Sequence, residues 1–327
     1  MQRNKIVLAQ DYVTVTKVPN GDFFIHDPGM TVLPDGSYIA FSPLWSRKVS
    51  SAIERPKIIN NFQIDTIRTR LADKLIVSKS YDKGKTWEDI CSLPYAEATP
   101  IVFEDVLYLF TQHYQHEGLY FTRSHDGGQT WENAVCVANR KIWNCQTGMV
   151  IRNRRLYWCM DEEHSKIAAI SCDLDRGIMN PAAWRVSESA AVPYTPKELI
   201  YGVGKGNWLS KWPGGFALLE ANVVDVRGRM MALARVVMDE YATANLCAVF
   251  HIEDGEDGLK LRFQQYYSLP GGQCKFNIVK DELSGMFWMA SNLPTNSLNL
   301  LDWERHGSYP GALLRKVSWP TTKWKGS

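Results

Sequence analysis

Ser80-Tyr81-Asp82-Lys83-Gly84-Lys85-Thr86-Trp87 and Ser124-His125-Asp126-Gly127-Gly128-Gln129-Thr130-Trp131 are two copies of one signature, S-x-D-x-G-x-T-W. Each follows a short apolar run, Leu75-Ile76-Val77 before the first and Leu119-Tyr120-Phe121 before the second. The signature reads as a folded hairpin turn. Asp accepts hydrogen bonds from backbone N–H groups of its own turn, Gly supplies a position with φ > 0, and the Ser and Thr hydroxyls tie the ends together. The Trp leaves the turn and packs between sheets. These are structural duties, so Asp82 and Asp126 are expected to staple hairpins and not to catalyse. The two aspartates lie about 44 residues apart, and a period of roughly 40–50 residues made of short strands is the mark of a β-propeller blade.

Outward from the pair, short apolar strands recur between turn signals. Met30–Leu33, Pro34-Asp35-Gly36 and Tyr38–Phe41 read as a hairpin. Ile101–Phe103 with Val106–Phe110, then Met149–Ile151, Leu156–Met160 and Ile167–Ser171, repeat the order. Ala217–Val226 and Met230–Val237 are joined by Arg227-Gly228-Arg229, and Leu246–Ile252, Phe276–Val279 and Phe287–Ser291 follow. Ser171-Cys172-Asp173-Leu174-Asp175-Arg176-Gly177, with Trp184 as the late aromatic, is a degenerate third copy of the signature. The expectation is an all-β chain, a single-domain β-propeller over residues 1–327, with four-stranded antiparallel blades, six in number with five or seven as alternatives. Either Val13–Val18 is expected to complete the closing blade as its outer strand, or the chain is incomplete relative to its relatives. Residues 42–70 and 186–211 read as long polar connections, the kind of segment that carries function.

The 327 residues are 45% hydrophobic and 22% charged, enough for a large core, and the formal net charge of +2 argues against a nucleic-acid surface. The apolar run Ile6-Val7-Leu8-Ala9 is too short for a signal-peptide core, and no stretch approaches a transmembrane span. Seven cysteines without CxxC or metal-ligand spacing read as buried thiols, Cys159, Cys172 and Cys247 among them. Together these point to a cytoplasmic protein with neither membrane nor nucleic-acid partner. No cofactor and no metal are expected; His113 and His116 have the spacing for one but lack a third ligand.

The paired signature resembles the Asp-box, or bacterial neuraminidase repeat, of the sialidase superfamily. That resemblance implies a propeller fold and a carbohydrate-active enzyme. Two further segments bear on it. From Leu219-Glu220-Ala221-Asn222 to Ala234-Arg235, a hairpin turning at Asp225 to Arg229 is similar to the sialidase stretch with an active-site Glu on one strand and a substrate-binding Arg on the return. An antiparallel return places Arg235 beside Glu220, and an adjacent guanidinium keeps a carboxylate ionised. The rival reading is an ordinary cross-strand ion pair. In Phe24-Ile25-His26-Asp27-Pro28-Gly29 the Pro, strand and P-D-G turn resemble the opening sialidase blade, but His26 stands where the first carboxylate-binding Arg belongs. Of the three arginines of that family only Arg235 has a clear counterpart; Arg305 and Arg315 match loosely.

The expected function is an exo-acting glycoside hydrolase, sialidase-like, removing a terminal acidic sugar from an oligosaccharide or glycoconjugate. Glu220 is assigned as base or nucleophile activator, Arg235 as carboxylate clamp, His26 as acid/base and Asp27 as its orienting partner. Asn222, Lys275, Asn277, Asn144, Gln146 and His113 are polar residues placed to bind sugar hydroxyls. Asp65, Asp73 and Tyr309 are weaker candidates. A lyase acting on uronate linkages with a His base is the alternative, and a non-catalytic sugar-binding propeller the third reading.

Overall fold

The structure is a computed structural model that describes residues 12–18, 20, 23–46, 58–59, 62–63, 74–112, 118–194, 217–237, 245–291 and 321–324. Asp65, Asp73, His113, His116, Arg305, Tyr309 and Arg315 lie outside the described residues. In chain order the first sheet holds β1 (Phe23–Ile25), β2 (Gly29–Val32) and β3 (Tyr38–Ser46). A two-stranded hairpin, β4 (Ile58–Ile59) with β5 (Phe62–Gln63), follows, and β6 (Lys74–Ser80) and β7 (Glu88–Leu93) complete the first sheet. The second sheet is β8 (Glu97–Phe103), β9 (Val106–Gln112), β10 (Leu119–Ser124) and β11 (Val135–Ala138). The third is β12 (Val150–Arg152), β13 (Arg155–Glu162), β14 (Lys166–Asp173) and β15 (Trp184–Val186). The fourth is β16 (Ala217–Val226), β17 (Arg229–Val237), β18 (Leu246–Gly255) and β19 (Gly258–Ser268). The fifth is β20 (Phe276–Lys280), β21 (Phe287–Ser291) and β22 (Thr321–Trp324).

In the second, third and fourth sheets, strands that follow one another in the chain are antiparallel neighbours. This up-and-down meander, repeated, is the four-stranded antiparallel blade of a β-propeller. The contacts divide the chain into two compact parts: one takes in Leu174–Trp184 and the described residues up to Gln146, the other Thr147–Asp173 and the described residues from Arg185 onward. In the first part Ile39, Phe41, Leu75, Val77, Leu107 and Leu109 form the centre of a core that Trp131 joins from its turn. In the second, Leu218, Val223, Ala232, Val236, Ala248 and Phe250 pack with Cys159, Ile167 and Ala169. Middle strands are apolar on both faces because both faces are covered; the outer strand β19 is largely exposed and correspondingly polar. All seven cysteines are free, and Cys159, Cys172 and Cys247 are fully buried.

The two signature turns fold by the same bonds. Asp82 Oδ1 accepts the Thr86 N–H and the Ser80 hydroxyl, each at 2.8 Å, and its Oδ2 accepts the Thr86 hydroxyl at 2.7 Å. Asp126 repeats this with Thr130 and Ser124. Gly84 (φ +87°) and Gly128 (φ +97°) take the left-handed positions, and the Trp87 and Trp131 indoles donate back to their carbonyls at 3.1 and 2.9 Å. The degenerate third copy does not close this way. Ser171 donates to Asp254 at 3.2 Å, and Asp173 faces Arg155 at 3.4 Å. After Gly177 no Thr follows, and a 3₁₀ turn, Pro181–Ala183, fills the space before Trp184, whose indole donates to Ile178 O at 2.8 Å. The strand expected at Val13–Val18 is absent as well. Residues 12–18 carry no strand, and the third strand of the last sheet comes from the C-terminal end, with Ala290 opposite Thr321.

Candidate functional site

Two clusters of polar side chains stand out, one in each part, and both begin with a fault in the first strand of a sheet. In the fourth sheet Leu219 pairs with Arg235 and Asn222 with Leu233. Two residues of β16, Glu220 and Ala221, therefore face one residue of β17, which is a β-bulge. Glu220 adopts φ +52°, a left-handed conformation uncommon for a residue with a side chain. Its N–H, turned out of the ladder, donates to Asp161 Oδ1 at 2.7 Å.

The bulge aims the Glu220 carboxylate at two cations. Oε2 lies 3.1 Å from Arg235 Nη1, and Oε1 lies 2.9 Å from Lys275 Nζ. The Glu220 side chain is 4% exposed, that of Arg235 11% and that of Lys275 33%. Arg235 is itself aimed by its Nε, which donates to Gln273 O at 2.8 Å. Beneath them Asp161 is fully buried, and its Oδ2 has no hydrogen-bond partner among the described residues. Burial first, and the neighbouring Glu220 charge second, push Asp161 well above the usual carboxylate range, against the pull of the Glu220 N–H, Lys275 and Arg235. His164, at the tip of the β13–β14 hairpin with φ +56°, is shifted down by burial, with Glu220 pulling the other way.

In the first sheet Ile25 pairs with Leu44 and Gly29 with Phe41, so β1 and β2 are one line interrupted at His26-Asp27-Pro28. The interruption faces Ser42 and Pro43; Pro43 has no N–H to offer a ladder, though its carbonyl accepts from the His26 N–H at 3.1 Å. Asp27 adopts φ +41°. Neighbouring side chains on a regular strand point to opposite faces, but this left-handed residue brings its carboxylate to 2.9 Å from its neighbour's Nδ1. The imidazole stacks on Trp45, with ring centroids 4.2 Å apart and an interplanar angle of 28°. Glu97, the buried first residue of β8, is the third member: one ligand-type atom from each of His26, Asp27 and Glu97 lies within 4.8 Å of the others. Gly29 makes the approach of β2 to β8 possible, since a Cβ there would lie 2.3 Å from Ala98 O.

The remaining expected sugar ligands are placed differently. Asn222 is fully buried, and its carboxamide is spent on the backbone: it accepts from Gly148 N at 2.8 Å and Ile278 N at 3.0 Å, and donates to Phe276 O at 3.1 Å. It staples neighbouring strands. Asn144 is likewise fully buried. Gln146 accepts from Met30 N at 2.7 Å and donates to Met30 O at 2.8 Å, pinning β2 as a strand partner would. Asn277 lies on β20 opposite Ala290, half-buried. Asp161, His164, Trp45 and Glu97 were not singled out from sequence; a buried acid inside an apolar strand, Cys159-Met160-Asp161, was the signal that could have found the first of them.

No protein-family model and no curated protein sequence matches the chain. Among solved structures, a protein of unknown function from Dyadobacter fermentans is similar at 14% identity over 85% of this chain and 77% of its own, with a TM-score of 0.52. The NanB sialidase of Streptococcus pneumoniae, as its K499G mutant, aligns at 9% identity over 81% of this chain with a TM-score of 0.47, and the match spans about half, 52%, of that protein. An α-L-arabinanase of Penicillium chrysogenum aligns at 11% identity over 85% of this chain and 78% of its own, with a TM-score of 0.47. Likeness at such identities is likeness of fold. No helix among the described residues is long and apolar enough to cross a membrane.

Proposed function

We propose that the protein is a carbohydrate-active enzyme for acidic saccharides, an exo-acting glycoside hydrolase of sialidase-like type, with Glu220, Arg235 and Lys275 at its centre. The observation that carries this reading is the buried Glu220 held between two cations. Glu220, Arg235 and Lys275 set two positive charges against one negative. The surplus matches one carboxylate of a substrate, which Arg235 can receive as a planar fork and the part-exposed Lys275 as a point charge. Glu220, fixed by the bulge, is the base that takes a proton from the attacking nucleophile. Hydrolysis adds OH to the anomeric carbon and H to the departing oxygen.

The contact of His26 with Asp27 supports a second reading, elimination. There His26 removes the proton α to a uronate carboxylate, a carbon–carbon double bond forms, the glycosidic carbon–oxygen bond at the β position breaks, and the departing oxygen leaves with the electron pair and takes up a proton. A panel of sialosides and uronate oligosaccharides, followed by mass spectrometry and ultraviolet absorbance, separates the two. Product heavier by one water, lost in Glu220→Gln and lost when the substrate carboxylate is methyl-esterified, supports hydrolysis of an acidic sugar. Ultraviolet-absorbing product without added water supports elimination. Equal turnover of neutral and acidic substrates defeats both.

A further inference from the structure

The cluster at the interrupted first strand has a geometry that proton transfer alone does not explain. His26 Nδ1 stands 2.9 Å from Asp27 Oδ2, yet Nδ1 is buried and makes no hydrogen bond to any described residue. A separation of that size is what two neighbouring ligands on one ion show: bonds of about 2.1 Å meeting at a right angle put their donor atoms about 3.0 Å apart. All three ligand-type atoms fall within 4.8 Å of one another. The donors come from separate constraints. Asp27 is turned alongside His26 by its left-handed backbone, the imidazole plane is fixed by stacking on Trp45, and Glu97 is carried in on β8 by the close approach at Gly29. Pre-set donors of this kind are what a metal site requires, because ordering them on binding would cost affinity.

We propose that His26, Asp27 and Glu97 hold a divalent cation. One imidazole nitrogen with two carboxylates is a mixed donor set suited to a first-row ion such as Mn²⁺ or Zn²⁺, more than to Mg²⁺, which prefers oxygen ligands and retains its waters. Three protein ligands leave positions for water or for a saccharide oxygen, so the ion would bind and polarise substrate. A cation on Nδ1 also places the imidazole proton on Nε2, making His26 a donor and not a base. The site therefore argues against elimination by His26, while its existence does not depend on which reaction the protein performs.

The test uses the full chain, stripped with a chelator and dialysed without substrate against Mn²⁺, Zn²⁺ or Ca²⁺ in turn. Bound metal is measured by elemental analysis and the unfolding midpoint by thermal melt. About one equivalent of Mn²⁺ or Zn²⁺ should bind and raise the midpoint. His26→Phe keeps a ring on Trp45 but removes the nitrogen, and Asp27→Asn keeps a residue tolerant of positive φ but removes the charge. Each should weaken binding at least tenfold, while Glu220→Gln leaves it unchanged. Melts of the stripped variants show whether they fold. No uptake of Mn²⁺ or Zn²⁺ above the buffer control overturns the proposal, and so does uptake that both folded variants retain. Neither result bears on the carbohydrate reading, which is tested by product formation.

Discussion

Replacing Arg235 by Met removes one of the two cations that face Glu220 while keeping much of the side chain's apolar volume. The Glu220 carboxylate would then remain buried, 4% exposed, with only Lys275 at 2.9 Å beside it. Two unit charges about 3 Å apart interact by roughly 5 kcal/mol at an effective dielectric of about 20, so the two cations make similar gross contributions. Removing one partner of a buried ion pair typically costs about 3–5 kcal/mol. With the second cation still in place, Arg235→Met should cost about 3 kcal/mol. Lys275→Met should cost less, about 1–2 kcal/mol, because a third-exposed ammonium is already screened by water. The assay is urea unfolding at neutral pH, run as a cycle with Glu220→Gln. Once the carboxylate is an amide, loss of the guanidinium matters less, and the double variant should be about 2 kcal/mol more stable than the sum of the singles predicts. A cost for Arg235→Met below about 1 kcal/mol, or additivity within about 0.5 kcal/mol, would refute the view that this pair is a tightly coupled buried unit.

Asp161→Asn tests the buried acid. The folded value of Asp161 is raised above the ordinary 3.8, so between those two values the folded state binds more protons than the unfolded one, and wild-type stability falls as pH rises through that window. The amide still accepts the Glu220 N–H but has no proton to lose; a chemical-denaturation series should show Asp161→Asn matching wild type near pH 4 and overtaking it as pH rises. In the second signature turn, burial raises Asp126, but the Thr130 hydroxyl and N–H, with Ser124 and Gln129, outweigh it and hold the carboxyl at about 2. Its contribution is present above the ordinary value of 3.8 and lost as pH falls toward about 2, so Asp126→Asn should be less stable at neutral pH, by under about 1 kcal/mol given its exposure to solvent, and equal at pH 2. Gly29→Ala places a Cβ 2.3 Å from Ala98 O and 2.8 Å from Pro100 Cδ, where neither neighbour can rotate away; a loss of about 1–3 kcal/mol in the same unfolding assay is expected.

What could be read from sequence follows from where each residue's job is local. The turns at Asp82 and Asp126 are built by residues within a span of eight, so their signature stands in the chain as written. The hairpin of Glu220 and Arg235 was legible because antiparallel return is a matter of counting; counting from the turn sets Glu220 opposite Arg235, and the bulge, which counting does not show, moves Arg235 onto Leu219. The outer strands β7, β11 and β19 were not singled out, since a strand exposed along one side carries no continuous apolar run. Three hairpin tips are built without the residue that usually marks a turn. Glu104-Asp105, Asn153-Arg154 and Glu163-His164 all take positive φ at both positions without a single glycine, so the usual turn marker is missing. The strand-stapling bonds of Asn222 could not be read from sequence because its partners, Gly148, Phe276 and Ile278, are far from it in the chain.

The two clusters share a device that no spacing rule announces. Each lies where the first strand of a sheet breaks register, and each break is centred on an acid in the left-handed region, Asp27 at φ +41° and Glu220 at φ +52°. Such a backbone costs of order 1–3 kcal/mol for a residue with a side chain, and persists only where surrounding bonds over-determine it. For Glu220 those bonds are visible: a backbone N–H tied to Asp161, and a carboxylate tied to Arg235 and Lys275. A glycine at either position would adopt the same φ more readily. That both positions carry a carboxylate instead says that the side chain, and not the turn, is the reason the strand is broken there. An acid-for-glycine exchange at either bulge should therefore keep or raise stability less the lost ion pairs, while removing whatever chemistry the cluster performs.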